Sequence, residues 1–66
     1  MNYLLLPLIP KGGSAVPAQQ VTKGNLAERP DDPTRIGYTF EYWYLGDWEK
    51  FDFNTPITET ITLFGS

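Results

Sequence analysis

The sequence predicts a small, mostly β domain bordering on α+β, and three observations carry that prediction. Gly37-Tyr38-Thr39-Phe40-Glu41-Tyr42-Trp43-Tyr44-Leu45 gathers five of the ten aromatic residues in one run, and these residue types suit a pleated, half-buried surface. An apolar run at residues 4–9 and an alternating run at 57–64 are set off by Pro, Gly and Asn punctuation, as strands are. The helix signal is confined to one turn. With 66 residues, the chain makes a single domain, 1–66, because dividing it would leave neither part a core.

So short a chain has little margin from an ordinary core. No cysteine is present to add a disulfide or a thiolate metal site. The aromatics, at about 150–250 Å² each, are its largest source of buried area. The predicted core is Tyr38, Phe40, Trp43, Phe53, Ile61 and Leu63. Strict alternation along residues 37–45 would put Tyr38, Phe40, Tyr42 and Tyr44 on one face and Thr39, Glu41, Trp43 and Leu45 on the other. Neither face is clearly polar, so the run is expected in mid-sheet with one face thinly covered.

In chain order, residues 4–9 read as a first strand damaged by Pro7, which lacks an amide donor, and ended by Pro10. Its pairing is expected to be short or on one side only. Lys11-Gly12-Gly13-Ser14 is a turn. Residues 15–22 form a short extended edge segment limited by Pro17, and Lys23-Gly24-Asn25 turns the chain again. Asn25 as N-cap and Glu28 three residues on suggest one helical turn over residues 25–29, stopped by Pro30. Residues 29–36 are a polar surface crossing. Gly37 opens the aromatic strand, Gly46-Asp47 closes it, and Trp48-Glu49-Lys50 is a loop or short return. Phe51-Asp52-Phe53 alternates, with Asp52 to solvent. Asn54-Thr55-Pro56 turns the chain into a last strand, where Ile57, Glu59, Ile61 and Leu63 oppose Thr60, Thr62 and Phe64. Glu59 on the apolar face places the strand proper after it.

The charge of −3 and scattered lysines and arginines argue against nucleic acid, which needs clustered cations. No run reaches the roughly 20 apolar residues of a membrane span, so no membrane insertion is expected. Residues 3–9 lack the basic flank of a signal peptide and are interrupted by proline. Gly12-Gly13 has no P-loop spacing. Asp31-Asp32 falls short of the six to eight oxygens calcium requires and reads as turn chemistry. Asp47, Glu49 and Asp52 would need a sugar-sized cleft to act as a glycosidase pair. Histidine is absent as well as cysteine, and Ser14 and Ser66 have no base beside them. The chain is therefore expected to have no catalytic residue, no cofactor and no metal site.

Taken together, Gly12-Gly13-Ser14-Ala15-Val16-Pro17, Gln20-Val21, Gly24, Pro30, Asp32-Pro33-Thr34-Arg35, Gly37-Tyr38-Thr39-Phe40, Trp43-Tyr44, Phe51-Asp52-Phe53, Thr55-Pro56-Ile57 and Ile61-Thr62-Leu63 resemble the Listeria–Bacteroides repeat, the internalin B-repeat type of module. The resemblance runs unbroken over about residues 11–64. It implies a small β-grasp-like, ubiquitin-like mixed sheet, found singly or in tandem in secreted, often wall-anchored bacterial surface proteins, hence an extracellular or cell-surface location. There are departures. Leu6-Pro7-Leu8 and Lys11 stand where the family has Val-Thr-Phe and Asn, and Phe64-Gly65-Ser66 replaces an ending of Tyr-Ala-x-Trp. Tyr42 stands where the family prefers Gly, a residue suited to a bulge that would bring Trp43 to the side of Tyr38 and Phe40.

Two functions are open at this point. One is a spacer or stalk module in adhesion, monomeric, non-enzymatic and without affinity for glycans or nucleotides. The other is a binding module in which Trp48, Tyr42 and Tyr44 stay exposed for a host or cell-wall protein or a glycan, since exposed Tyr and Trp dominate interface hot spots. Trp48, in a loop beside Asp47 and Glu49, is the leading candidate for exposure. Edge strands offer a route to a dimer.

Overall fold

The computed structural model describes residues 2–66, and among them all regular structure is β. The strands are β1 (Tyr3–Leu6), β2 (Leu8–Pro10), β3 (Gln19–Thr22), β4 (Trp43–Tyr44) and β5 (Leu63–Gly65). They form two small sheets, β1-β3 and β2-β5-β4.

Pro7 divides the first extended run between those sheets. β1 pairs antiparallel with β3, Leu4 opposite Val21, whereas β2 pairs parallel with β5, Leu8 opposite Leu63. Proline cannot donate to a ladder, but its carbonyl still accepts, and here it receives the Leu63 amide at 2.9 Å. Each half is paired on one side only, as the missing amide implies. The residue that spoils a continuous strand thus becomes the point where the chain passes from one sheet to the next.

In-register neighbours give each sheet face its composition. On the inner face of β2-β5-β4 lie Leu8, Leu63, Trp43 and Gly65. With Leu6, Val21, Ala27, Phe51 and Ile57 they make the buried core, and Leu4, Val16, Phe40, Leu45, Phe53 and Ile61 pack against it. Leu6 and Leu63 are wholly buried and Trp43 almost so. Gly65 allows this packing: a Cβ there would lie 2.9 Å from Phe40 Cε1, 3.3 Å from Trp43 Cζ3 and 3.3 Å from the Pro10 backbone. Of the predicted core, Trp43 and Leu63 are buried, and Phe40, Phe53 and Ile61 pack against the core.

Tyr38 is a correction, being 65% exposed. The aromatic run is not one strand from residue 37. Gly37 takes φ +82° in a turn where the Tyr38 amide donates to the Arg35 carbonyl at 3.0 Å. The ring is thereby turned outward under the Arg35 guanidinium, 3.7 Å from its centroid. Ladder pairing is confined to β4 and is preceded by a bulge. Glu41 and Tyr42 together face Ser66: the Glu41 amide donates to the Ser66 carbonyl at 3.1 Å, and the Ser66 amide donates to the Tyr42 carbonyl at 3.2 Å. Two residues against one is the count of a β-bulge. It shifts the alternation, so that Phe40 meets Trp43 at 5.2 Å between ring centroids. Tyr42 fits here without glycine because its φ is not positive; among the described residues the non-glycine residue with positive φ is Trp48.

The helical turn expected over residues 25–29 is absent. Gln19 holds that segment extended: its side-chain amide accepts from the Glu28 amide at 3.0 Å and donates to the Glu28 carbonyl at 2.6 Å, replacing the bonds a helix would make. The last strand is also shorter and later than the alternation suggests, pairing only at Leu63–Gly65. Ile57 instead anchors the turn at residues 23–25, donating to the Asn25 carbonyl at 2.8 Å and accepting from the Gly24 amide at 2.7 Å. The turn after Phe51 is organised by Asp52, whose carboxylate accepts the Asn54 amide at 2.9 Å.

Candidate functional site

The outer face of β2-β5-β4 begins with Ile9, Phe64 and Tyr44, which are in register across the three strands. Tyr42 follows on the β4 side, its ring meeting Tyr44 edge-on at 6.2 Å. Tyr44 and Phe64 lie 5.9 Å apart. This aromatic face is what the sequence leaves thinly covered, and the hairpin after β4 covers it.

That hairpin has a three-residue loop. The Trp48 amide donates to the Leu45 carbonyl at 2.9 Å and the Leu45 amide to the Glu49 carbonyl at 2.8 Å, so Gly46-Asp47 are the centre of a β-turn and Trp48 follows it. A residue after such a turn adopts a left-handed conformation, normally supplied by glycine. Trp48 does so with φ +69°. Asp47 braces the loop by accepting the Glu49 amide on Oδ1 at 3.1 Å. The left-handed backbone folds the indole back over Tyr44, stacked at 4.7 Å and 17°.

Of the three residues predicted to meet a partner, Trp48 is 66% exposed, Tyr42 is half-buried and Tyr44 is 2% exposed. Tyr44 is therefore a correction: it is the floor on which Trp48 rests and presents no surface. Its hydroxyl and the indole N–H of Trp43 are buried without a partner among the described residues.

Lysines flank the aromatics. Lys11 Nζ lies 5.3 Å from the Trp48 centroid, 6.0 Å from Tyr44 and 5.7 Å from Phe64, and Lys50 Nζ is 5.9 Å from Tyr42. The sequence identified neither lysine, because Lys11 is far from the aromatic run in the chain and meets it only through the parallel β2–β5 pairing. The position of Trp48 had a signal, however: Leu45-Gly46-Asp47-Trp48-Glu49 has the length of a three-residue hairpin loop.

A second feature lies at the edge of the sheet, a cleft of about 140 Å³ between Pro10, Pro33, Arg35, Tyr38 and Phe40. Its wall is fixed by Ser14, whose amide donates to the Thr34 carbonyl at 2.8 Å and whose hydroxyl accepts the Thr34 amide at 2.9 Å. No group of three or more metal-ligating side chains gathers among the described residues. An exposed, rigidly backed indole is thus the best-defined surface the fold presents.

No curated protein and no solved structure matches the chain. The model of one family does match, over residues 9–65, which takes in β4, β5, all but the first residue of β2, Glu41 and Tyr42 of the bulge, and the Trp48 hairpin. The chain belongs to the Listeria–Bacteroides repeat domain family, a modular repeat found in bacterial surface proteins.

Proposed function

We propose that the chain is a non-enzymatic module of a bacterial cell-surface or secreted protein, acting as a spacer or stalk in adhesion. One observation carries the reading: the body is elongated, with extents of 41 × 21 × 16 Å, and its two ends face opposite ways. The Asn2 carbonyl accepts the Lys23 amide at one end of the first extended run, while Ser66 bonds Tyr42 at the other, beyond the Pro10–Gly65 pair. Eight residues, Tyr3 to Pro10, separate those poles, roughly 26 Å at about 3.3 Å per extended residue. Modules joined this way add length with each copy. The finer likeness, to the internalin B-repeat type and to a β-grasp sheet, is part of the same proposal and is supported by the parallel β2–β5 pair beside the antiparallel β1–β3 pair. The family's occurrence in bacterial surface proteins supports an extracellular or cell-surface location. The module works as a monomer, with the edge strands of its sheets as the route to any dimer.

The test is small-angle scattering from tandem concatemers of two, three and four copies. The maximum dimension should grow by a constant step of about one module length per copy. Copies that collapse side by side, leaving the dimension nearly unchanged, would end the spacer reading.

A further inference from the structure

We infer that Trp48 is the platform of a saccharide site, taking the apolar face of a neutral pyranose ring from a polysaccharide. The inference does not rest on the spacer reading and departs from it in one respect, giving the module an affinity for glycans that a bare spacer lacks. Its first support is conformational. A left-handed backbone is unfavourable for a bulky residue, and glycine would occupy this position without strain. The φ of +69° closes the hairpin and lays the indole over Tyr44, yet the side chain remains 66% exposed, so the ring keeps a face on the surface. What the conformation accomplishes is to lay a flat indole on a fixed floor, Tyr44.

The second support is access. The Lys11 ammonium is nearly equidistant from Trp48 and Tyr44, at 5.3 and 6.0 Å, while those rings are 4.7 Å apart. Above the outer indole face it would be far more distant from Tyr44 than from Trp48. Lys11 therefore stands beside the stack and leaves the outer face open.

The third support is the charge around the ring. Lys11 supplies donors on one side, and Asp47 and Glu49, both exposed, supply acceptors next to Trp48 in the loop. Opposite signs this close favour neither a strongly anionic nor a strongly cationic ligand. Sugar hydroxyls both donate and accept, and the C–H face of a pyranose ring matches the indole, an apolar body with a polar rim.

Titration of the chain with cellohexaose, chitohexaose and maltohexaose, followed by NMR of the two indole N–H signals, tests the site. At least one sugar should shift the Trp48 signal saturably at millimolar concentration and leave the Trp43 signal in place. Trp48→Ala should weaken that binding at least about tenfold. Trp48→Gly, which suits the left-handed backbone, serves the same purpose should the alanine variant fail to fold. The inference is overturned if none of the three sugars moves the Trp48 signal, or if binding survives both substitutions. It also fails if dilution alone shifts that signal, which would make a second copy the occupant, or if a proline-rich or arginine-rich peptide moves it and the sugars do not.

Discussion

Trp43 and Trp48 stand five positions apart and occupy opposite situations. Trp43 lies on the inner face of β4, 2% exposed, against Phe40 and directly over Gly65, where no side chain intervenes. Trp48 lies beyond the outer face, 66% exposed, on a strained backbone, with Tyr44 sandwiched between it and the sheet. The same side chain supplies folding energy in one place and surface in the other. What separates them is the environment assembled around each, so substitutions at the two sites should behave very differently.

The largest effect is expected at the inner indole. Trp43→Ala should cost about 3–5 kcal/mol as a large-to-small core change, a large share of what a domain of this size has. Thermal or urea unfolding measures it, and a variant that melts like the parent would erase the distinction between the two tryptophans. Next is the floor beneath Trp43. Gly65→Ala places a methyl against Phe40, the Trp43 ring and the Pro10 backbone, and such overpacking costs about 1–3 kcal/mol. A Gly65→Ala variant as stable as the parent would show that the inner face has slack and that the close approach is incidental.

A smaller effect, of opposite sign, is expected between the two indoles. Tyr44→Phe keeps the ring under Trp48 and removes a buried hydroxyl without a partner. Releasing such a group should leave stability unchanged or raise it by up to about 1 kcal/mol. A clear loss in the melting curve would mean that the hydroxyl has a partner and that the base of the aromatic stack is polar. The smallest change is expected at Trp48 itself. Trp48→Gly relieves about 1–2 kcal/mol of left-handed strain and forfeits an aromatic contact of about 0.5–1.5 kcal/mol. The two nearly cancel, so the melting temperature should hardly move. Acrylamide should quench one tryptophan in the parent and almost none in Trp48→Gly, and equal quenching in both would remove the contrast altogether.

Local composition anticipated much of this. The β character, the break at Pro7, the exposure of Asp52 between two packed phenylalanines and the ordered motif shared with the repeat family are all properties of neighbouring residues. The misreadings share a different cause. Tyr38 has the composition of a core strand residue, but Gly37 turns it out and Arg35 covers it. Asn25 and Glu28 have helix-capping character, but Gln19, brought alongside by β3, bonds the backbone first. Tyr44 reads as available to a partner because nothing nearby in sequence announces that a left-handed Trp48 will close over it.

By itself, then, the chain determined which residue types could build a core, that imidazole and thiol chemistry are absent, and where proline and glycine would interrupt pairing, since each of these depends on side-chain chemistry and local backbone sterics. The tertiary structure alone decided which aromatic faces inward. That choice rests on bonds between distant segments, chiefly the Glu41 and Tyr42 bulge against Ser66 and the β2–β5 pairing that carries Lys11 to the aromatic face. A single bulge shifts the alternation of a whole strand, so a pattern read locally cannot say which ring is buried until its partner strand is in place.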